Sequence, residues 1–131
     1  MKTTRLAIFG KIIAIAILIL GIIHDVATFT PLLQGGLTCL SPGALKAMTF
    51  MSLICGSAFI LSGLIIFLLL QQIGDHPFLA TPVLIIGIFL GISGILSIVY
   101  MFGNPFAWLA LLLNITMFVV SVILKIGTSK K

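Results

Sequence analysis

Charge is what this chain has least of. Seven basic and two acidic residues are all that its 131 positions carry, 7% of the whole, and the two acids, Asp25 and Asp75, include no glutamate. A soluble domain of this size needs a polar shell that so few charges do not provide, which excludes the ordinary water-soluble globular class. Cysteine is nearly absent as well: Cys39 and Cys55 lack the CxxC spacing of a zinc or thioredoxin-type site and leave the redox compartment open. The net charge of +5 is not matched by a basic patch interleaved with aromatic residues, so nucleic acid is not an expected partner. No acid lies in the middle of an apolar run, which weighs against proton-coupled export of the kind small four-helix transporters perform through an embedded carboxylate.

What is present is hydrophobic sequence in long pieces, 61% of the chain. The first run extends from Leu6 to about Phe29, with Lys11 near its start and His24, Asp25 and Thr28 near its close. A loop rich in turn formers follows, containing Gln34-Gly35-Gly36 and Ser41-Pro42-Gly43. Ala47 to Leu70 and Phe78 to Phe102 are both free of charge. The connector Gln71 to Pro77 separates them, and Gly103-Asn104-Pro105 turns the chain into a last run, Phe106 to about Leu124. At about 1.5 Å per residue each run crosses a hydrocarbon core roughly 30 Å thick.

None of the runs alternates polar and apolar residues as barrel strands do. Backbone groups in lipid must be satisfied within their own segment, so the expectation is helix throughout. The predicted fold is an all-α, integral membrane four-helix bundle, up-down-up-down, in a single transmembrane domain over residues 1–131. Its helices are expected at about 5–29, 46–72, 78–102 and 106–126.

Lys2, Arg5 and Lys11 open the first helix, and Lys125, Lys130 and Lys131 close the last, so both termini are expected in the cytoplasm. Lys46 dissents, because it falls in the outer loop. The expected location is a cell membrane crossed several times, the cytoplasmic (inner) membrane of a prokaryote. A rival reading makes the first helix a cleaved signal peptide. It would place Asp25 third before a cut after Ala27, where a small residue is wanted, and would leave three spans.

Helices in lipid associate through small residues that let backbones approach. Ala7, Gly10, Ala14, Gly21, His24 and Thr28 share one face of helix one, and Thr49, Ser52, Gly56 and Gly63 line helix two. Helix three offers Gly87, Gly91 and Gly94, including one GxxxG, and helix four offers Ala107, Ala110, Asn114 and Ser121. Contacts within the chain are the expected use of these stripes, and contacts in a homo-oligomer the other. A faint echo relates Gly21-Ile22-Ile23, Val26 and Phe29 to Gly94-Ile95-Leu96, Val99 and Phe102, consistent with a duplicated helix pair.

His24, Asp25, Thr28 and Asn114 are the candidate ligand or proton site, because polar groups within or near a membrane are costly and often functional. For the first three the competing reading is a polar helix end at the outer interface; for Asn114 it is an interhelical hydrogen bond. His24 and His76 are expected a bilayer apart, so no haem bridges them, and no catalytic set, metal site or cofactor is expected. Tyr100, Phe102, Phe106 and Trp108 form an aromatic belt around the third turn. The expected function is a non-catalytic accessory, assembly or lipid-contacting scaffold subunit, its partners the lipid bilayer and other membrane proteins or itself. The alternative is a transporter or enzyme handling a small molecule or protons near His24, Asp25 and Thr28.

Overall fold

A computed structural model describes residues 2–31 and 38–129, with side chains from Arg5 onward. The side chain of Lys2, the loop residues Gln34, Gly35 and Gly36, and the tail Lys130-Lys131 lie outside the described residues. Four helices account for nearly all of the rest: α1 (Lys2–Thr28), α2 (Pro42–Gln72), α3 (Ala80–Met101) and α4 (Pro105–Ser129). A short 3-10 turn, Pro77–Leu79, leads into α3, and no strand occurs among the described residues. All four helices are long and apolar enough to cross a membrane.

Local chemistry sets where the helices start. Ser41 caps α2 by accepting the amide of Ala44 on its Oγ at 3.3 Å, and Pro42 occupies the first helical position, where its missing N–H costs nothing. The helix therefore begins before 46, and Lys46 stands in its second turn instead of in a loop. Asn104 does the same for α4: its Oδ1 accepts the Phe106 amide at 2.9 Å and its carbonyl accepts that of Ala107 at 3.0 Å, with Pro105 next in line. At the end of α2, the amides of Asp75 and His76 both donate to the Gln72 carbonyl, which closes the turn toward α3.

The chain folds as two antiparallel hairpins, α1 with α2 and α3 with α4. The hairpins meet chiefly along α1 and α4, and much less along α2 and α3. The start of α1 and the end of α4 thus lie at one end of an up-down-up-down bundle, here called the terminal end; the end of α1, the start of α2 and the α3–α4 turn lie at the distal end. Within the first hairpin a single register runs from Thr28–Ser52 through Gly21–Gly56 and Leu18–Gly63 to Gly10–Leu70. Gly10 also faces Val120 and Met117 of α4, so three helices converge on it near the terminal end. In the second hairpin Gly87 faces Ser121, Gly91 faces the Phe118 ring and Gly94 faces Asn114 and Leu111. The GxxxG of α3 thus packs on α4 of the same chain.

Gly21 and Gly94, the equivalent glycines of the sequence echo, each sit on the first helix of a hairpin and face the second. The core is a stripe of small and branched residues, Ala14, Ile17, Ile66, Leu70, Val83, Leu90, Met117 and Leu124 among them. The outward faces present Ile12, Ile19, Phe50, Leu61, Ile85, Ile92, Leu112 and Ile123. Such a surface suits lipid and not water.

Candidate functional site

The last turns of α1 read His24-Asp25-Val26-Ala27-Thr28. Helical spacing puts His24 and Thr28 on one face and Asp25 about 100° away. The structure assigns these two faces different neighbours on α2. Ser52 lies opposite His24 and Thr28: its Oγ is 3.1 Å from His24 Nε2 and 2.7 Å from Thr28 Oγ1. Thr28 Oγ1 in turn donates to the carbonyl of His24, one turn back, at 2.9 Å.

Counting protons fixes the direction of every bond in this ring when all three form together. A carbonyl only accepts, so the Thr28 hydroxyl hydrogen goes to His24 O. The hydrogen between Ser52 and Thr28 must then come from Ser52, and the one between His24 and Ser52 from the imidazole. In that arrangement His24 carries its proton on Nε2 and donates to Ser52. A histidine so placed is not a base toward that serine, because a base must present its lone pair to the hydroxyl it activates.

Asp25 lies on the neighbouring flank, over the backbone of α2 at Gly56. A Cβ at position 56 would collide with Asp25 Oδ1, so only glycine leaves the carboxylate this seat. Oδ1 is buried there without a hydrogen-bond partner among the described residues, and Oδ2 accepts a long bond of 3.4 Å from the hydroxyl of exposed Ser57. Cys55, exposed one position from Gly56, and Cys39 are both free thiols.

Asn114 belongs to another part of the molecule. It is 0% exposed and packed on Gly94, whose added Cβ would stand 3.1 Å from the Asn114 Cβ. Neither Oδ1 nor Nδ2 of its amide has a partner among the described residues. The contacts of Gly10 with Met117 and Val120 place Asn114 level with about residues 13–16 of α1, roughly 12–16 Å from His24 along the bundle axis. The four candidates thus separate into the His24–Thr28 ring, the Asp25 flank and a solitary amide.

Ser52 and Gly56 are visible in the sequence only as small residues of a packing stripe. Ser57 carries no signal at all. Their chemistry comes from facing α1. The remaining hydroxyls mostly bond within their own helices, as Thr49 does to Leu45 O, Ser93 to Phe89 O and Thr116 to Leu112 O, which satisfies them without a neighbour. Ser97 links hairpin partners by reaching both Gly94 O and Ala107 O, and Lys125 Nζ donates to Thr81 Oγ1 at 2.9 Å.

At the distal end Trp108 donates its Nε1–H to Phe102 O at 3.0 Å, and the two rings meet edge to face at 5.3 Å. His76 sits in the α2–α3 connector, at the opposite end from His24. No three His, Cys, Asp or Glu side chains converge among the described residues. Two open grooves mark the outward faces, each lined by one helix: Trp108, Leu111, Leu112, Ile115 and Thr116 of α4, and Leu45, Lys46, Thr49, Phe50 and Leu53 of α2.

Compared with family models, curated proteins and solved structures, the chain matches none.

Proposed function

We propose that this chain is a non-catalytic membrane subunit, an accessory, assembly or lipid-contacting scaffold component. The observation that carries this reading is the closed set of short contacts linking His24 Nε2, Ser52 Oγ, Thr28 Oγ1 and the His24 carbonyl. The polar residues best suited to acid-base or nucleophilic work are consumed in tying α1 to α2. The grooves are open faces of single helices, suited to acyl chains or a neighbouring helix. The partners in this reading are the lipid bilayer and other membrane proteins, or further copies of the chain.

Purification in mild detergent tests it. A membrane protein retained in fixed stoichiometry supports the subunit role; a bound cofactor, a visible absorbance band or turnover of a small substrate overturns it. The proposed setting is the cytoplasmic membrane of a prokaryote with both termini inside, supported by the basic residues at the terminal end, Arg5, Lys11 and Lys125. Protection of an N-terminal tag from an impermeant reagent in intact cells, together with the intact mass, checks orientation and retention of α1.

A second reading, passage or binding of a small polar ligand or a proton, is favoured by one observation. Asn114 buries two unpaired amide atoms inside the bundle, where each would bind a polar guest.

A further inference from the structure

Asp25 stands in an electrostatic position that the rest of the chain does not resolve. One of its oxygens is buried against Gly56 without a donor, and the other has only the long bond from Ser57. An ionisable group within a transmembrane segment is seldom left alone: it faces a water-filled cavity or pairs with another charged or backbone polar group. None of this chain's described cations reaches it. Lys46 is eleven positions from Ser57 along α2, about 16 Å. Lys11 is fourteen positions from Asp25 along α1, about 21 Å, and Arg5 is farther still. Lys125 lies at the terminal end, bonded to Thr81.

Exposed apolar side chains surround the carboxylate. Ile22 lies one turn before Asp25 on α1 and Phe29 in the turn that follows the helix, and Ile54 and Leu61 lie one turn either side of Ser57 on α2. All four are exposed, so an acid and a hydroxyl are framed by apolar side chains on an outward flank of the hairpin. A second copy of the chain is a poor occupant. Two-fold related copies in one membrane bring each Asp25 to the depth of the other, carboxylate against carboxylate.

We propose that this flank binds a transmembrane helix of another protein that carries an arginine or lysine at the depth of Asp25. The cation reaches the carboxylate at Oδ2, on the exposed side shared with Ser57, and the apolar frame packs along the incoming helix. This rests on the accessory-subunit reading and names the chemistry of its partner.

The test uses the full-length chain, labelled and reconstituted in phosphatidylcholine vesicles, with two synthetic single-span poly-leucine helices as probes. One bears arginine at the depth of Asp25, and the other bears leucine there. Energy transfer is expected to show the arginine helix binding roughly tenfold more tightly than the leucine helix. Asp25→Asn should abolish that preference and Asp25→Glu should keep it, with helix content unchanged in both.

Equal binding of the two helices, or a preference that survives Asp25→Asn, overturns the proposal. So does loss of the preference when phosphatidylethanolamine replaces phosphatidylcholine, which would make a lipid ammonium the cation. Failure here alongside stoichiometric co-purification of a membrane protein overturns the cation-bearing helix and leaves the subunit reading in place. Absence of any partner overturns the subunit reading itself.

Discussion

Gly21 and Gly56 face each other where α1 crosses α2, closely enough that neither accepts a side chain without movement. A Cβ on Gly21 would stand 2.7 Å from the Gly56 carbonyl oxygen, and one on Gly56 would stand 3.0 Å from that of Gly21. Close approach here presses the Asp25 carboxylate onto α2 and holds Ser52 within reach of His24. The glycine pair therefore supports the whole polar end of the hairpin.

Replacing either glycine by alanine should destabilise the hairpin by about 1–3 kcal/mol, since backbone atoms have no flexible end that can give way. Gly43, Gly74, Gly103 and Gly127 have nothing within 4 Å of an added Cβ and serve as controls. Steric-trap unfolding in bicelles measures the difference, and equal stability of Gly56→Ala and Gly74→Ala would refute the close crossing.

The α3–α4 hairpin offers a graded comparison. A Cβ on Gly87 meets Ser121 Oγ, with the Ser121 Cβ at 2.9 Å, whereas one on Gly91 finds the Phe118 side chain at an ordinary 3.4 Å. Gly91→Ala should be nearly neutral and Gly87→Ala should cost about 1–3 kcal/mol. Adding Ser121→Gly should recover much of that loss, a coupling that a double-mutant cycle reads directly.

Ser52→Ala removes the acceptor of the His24 Nε2–H and the donor to Thr28 at once. The expected cost is about 1 kcal/mol, in line with hydrogen bonds between membrane helices. Nitrogen NMR of the labelled imidazole should show the proton on Nε2 in the wild type. A resting Nδ1–H tautomer would contradict the ring and restore His24 as a base toward Ser52.

Asn114 separates the two functional readings. If its amide atoms are unpaired as they stand, Asn114→Leu removes buried polarity at nearly constant volume and should be neutral or stabilising by about 1–3 kcal/mol. A clear loss of stability, or a loss of function with the fold intact, would show that the amide serves a water or a small polar ligand.

What could be read along the chain was the existence of the helices and the solvent they face. Ala47 to Leu70 and Phe78 to Phe102 are long, uncharged and free of strand-like alternation, and those are local properties that lipid turns directly into helix. Asn104 and Ser41 act within three residues of themselves, and for Ser41 the effect is to begin α2 earlier than a turn-rich Ser-Pro-Gly would imply.

The site was legible only as a set of polar residue types. These helices are apolar nearly all round, so no polar face announces which side meets a neighbour. His24 and Ser52 are separated by 28 positions, and Asp25 and Ser57 by 32. Their meeting depends on the register and closeness of one glycine crossing. The sequence by itself determined four helices long and apolar enough to span a membrane, because hydropathy and length are summed within each segment. Tertiary structure alone decided that His24 is tied into α2 and that, among the described residues, Asp25 is left without a cation and Asn114 without a partner. Each of those outcomes is a distance between atoms on different helices, set by packing that no single segment encodes.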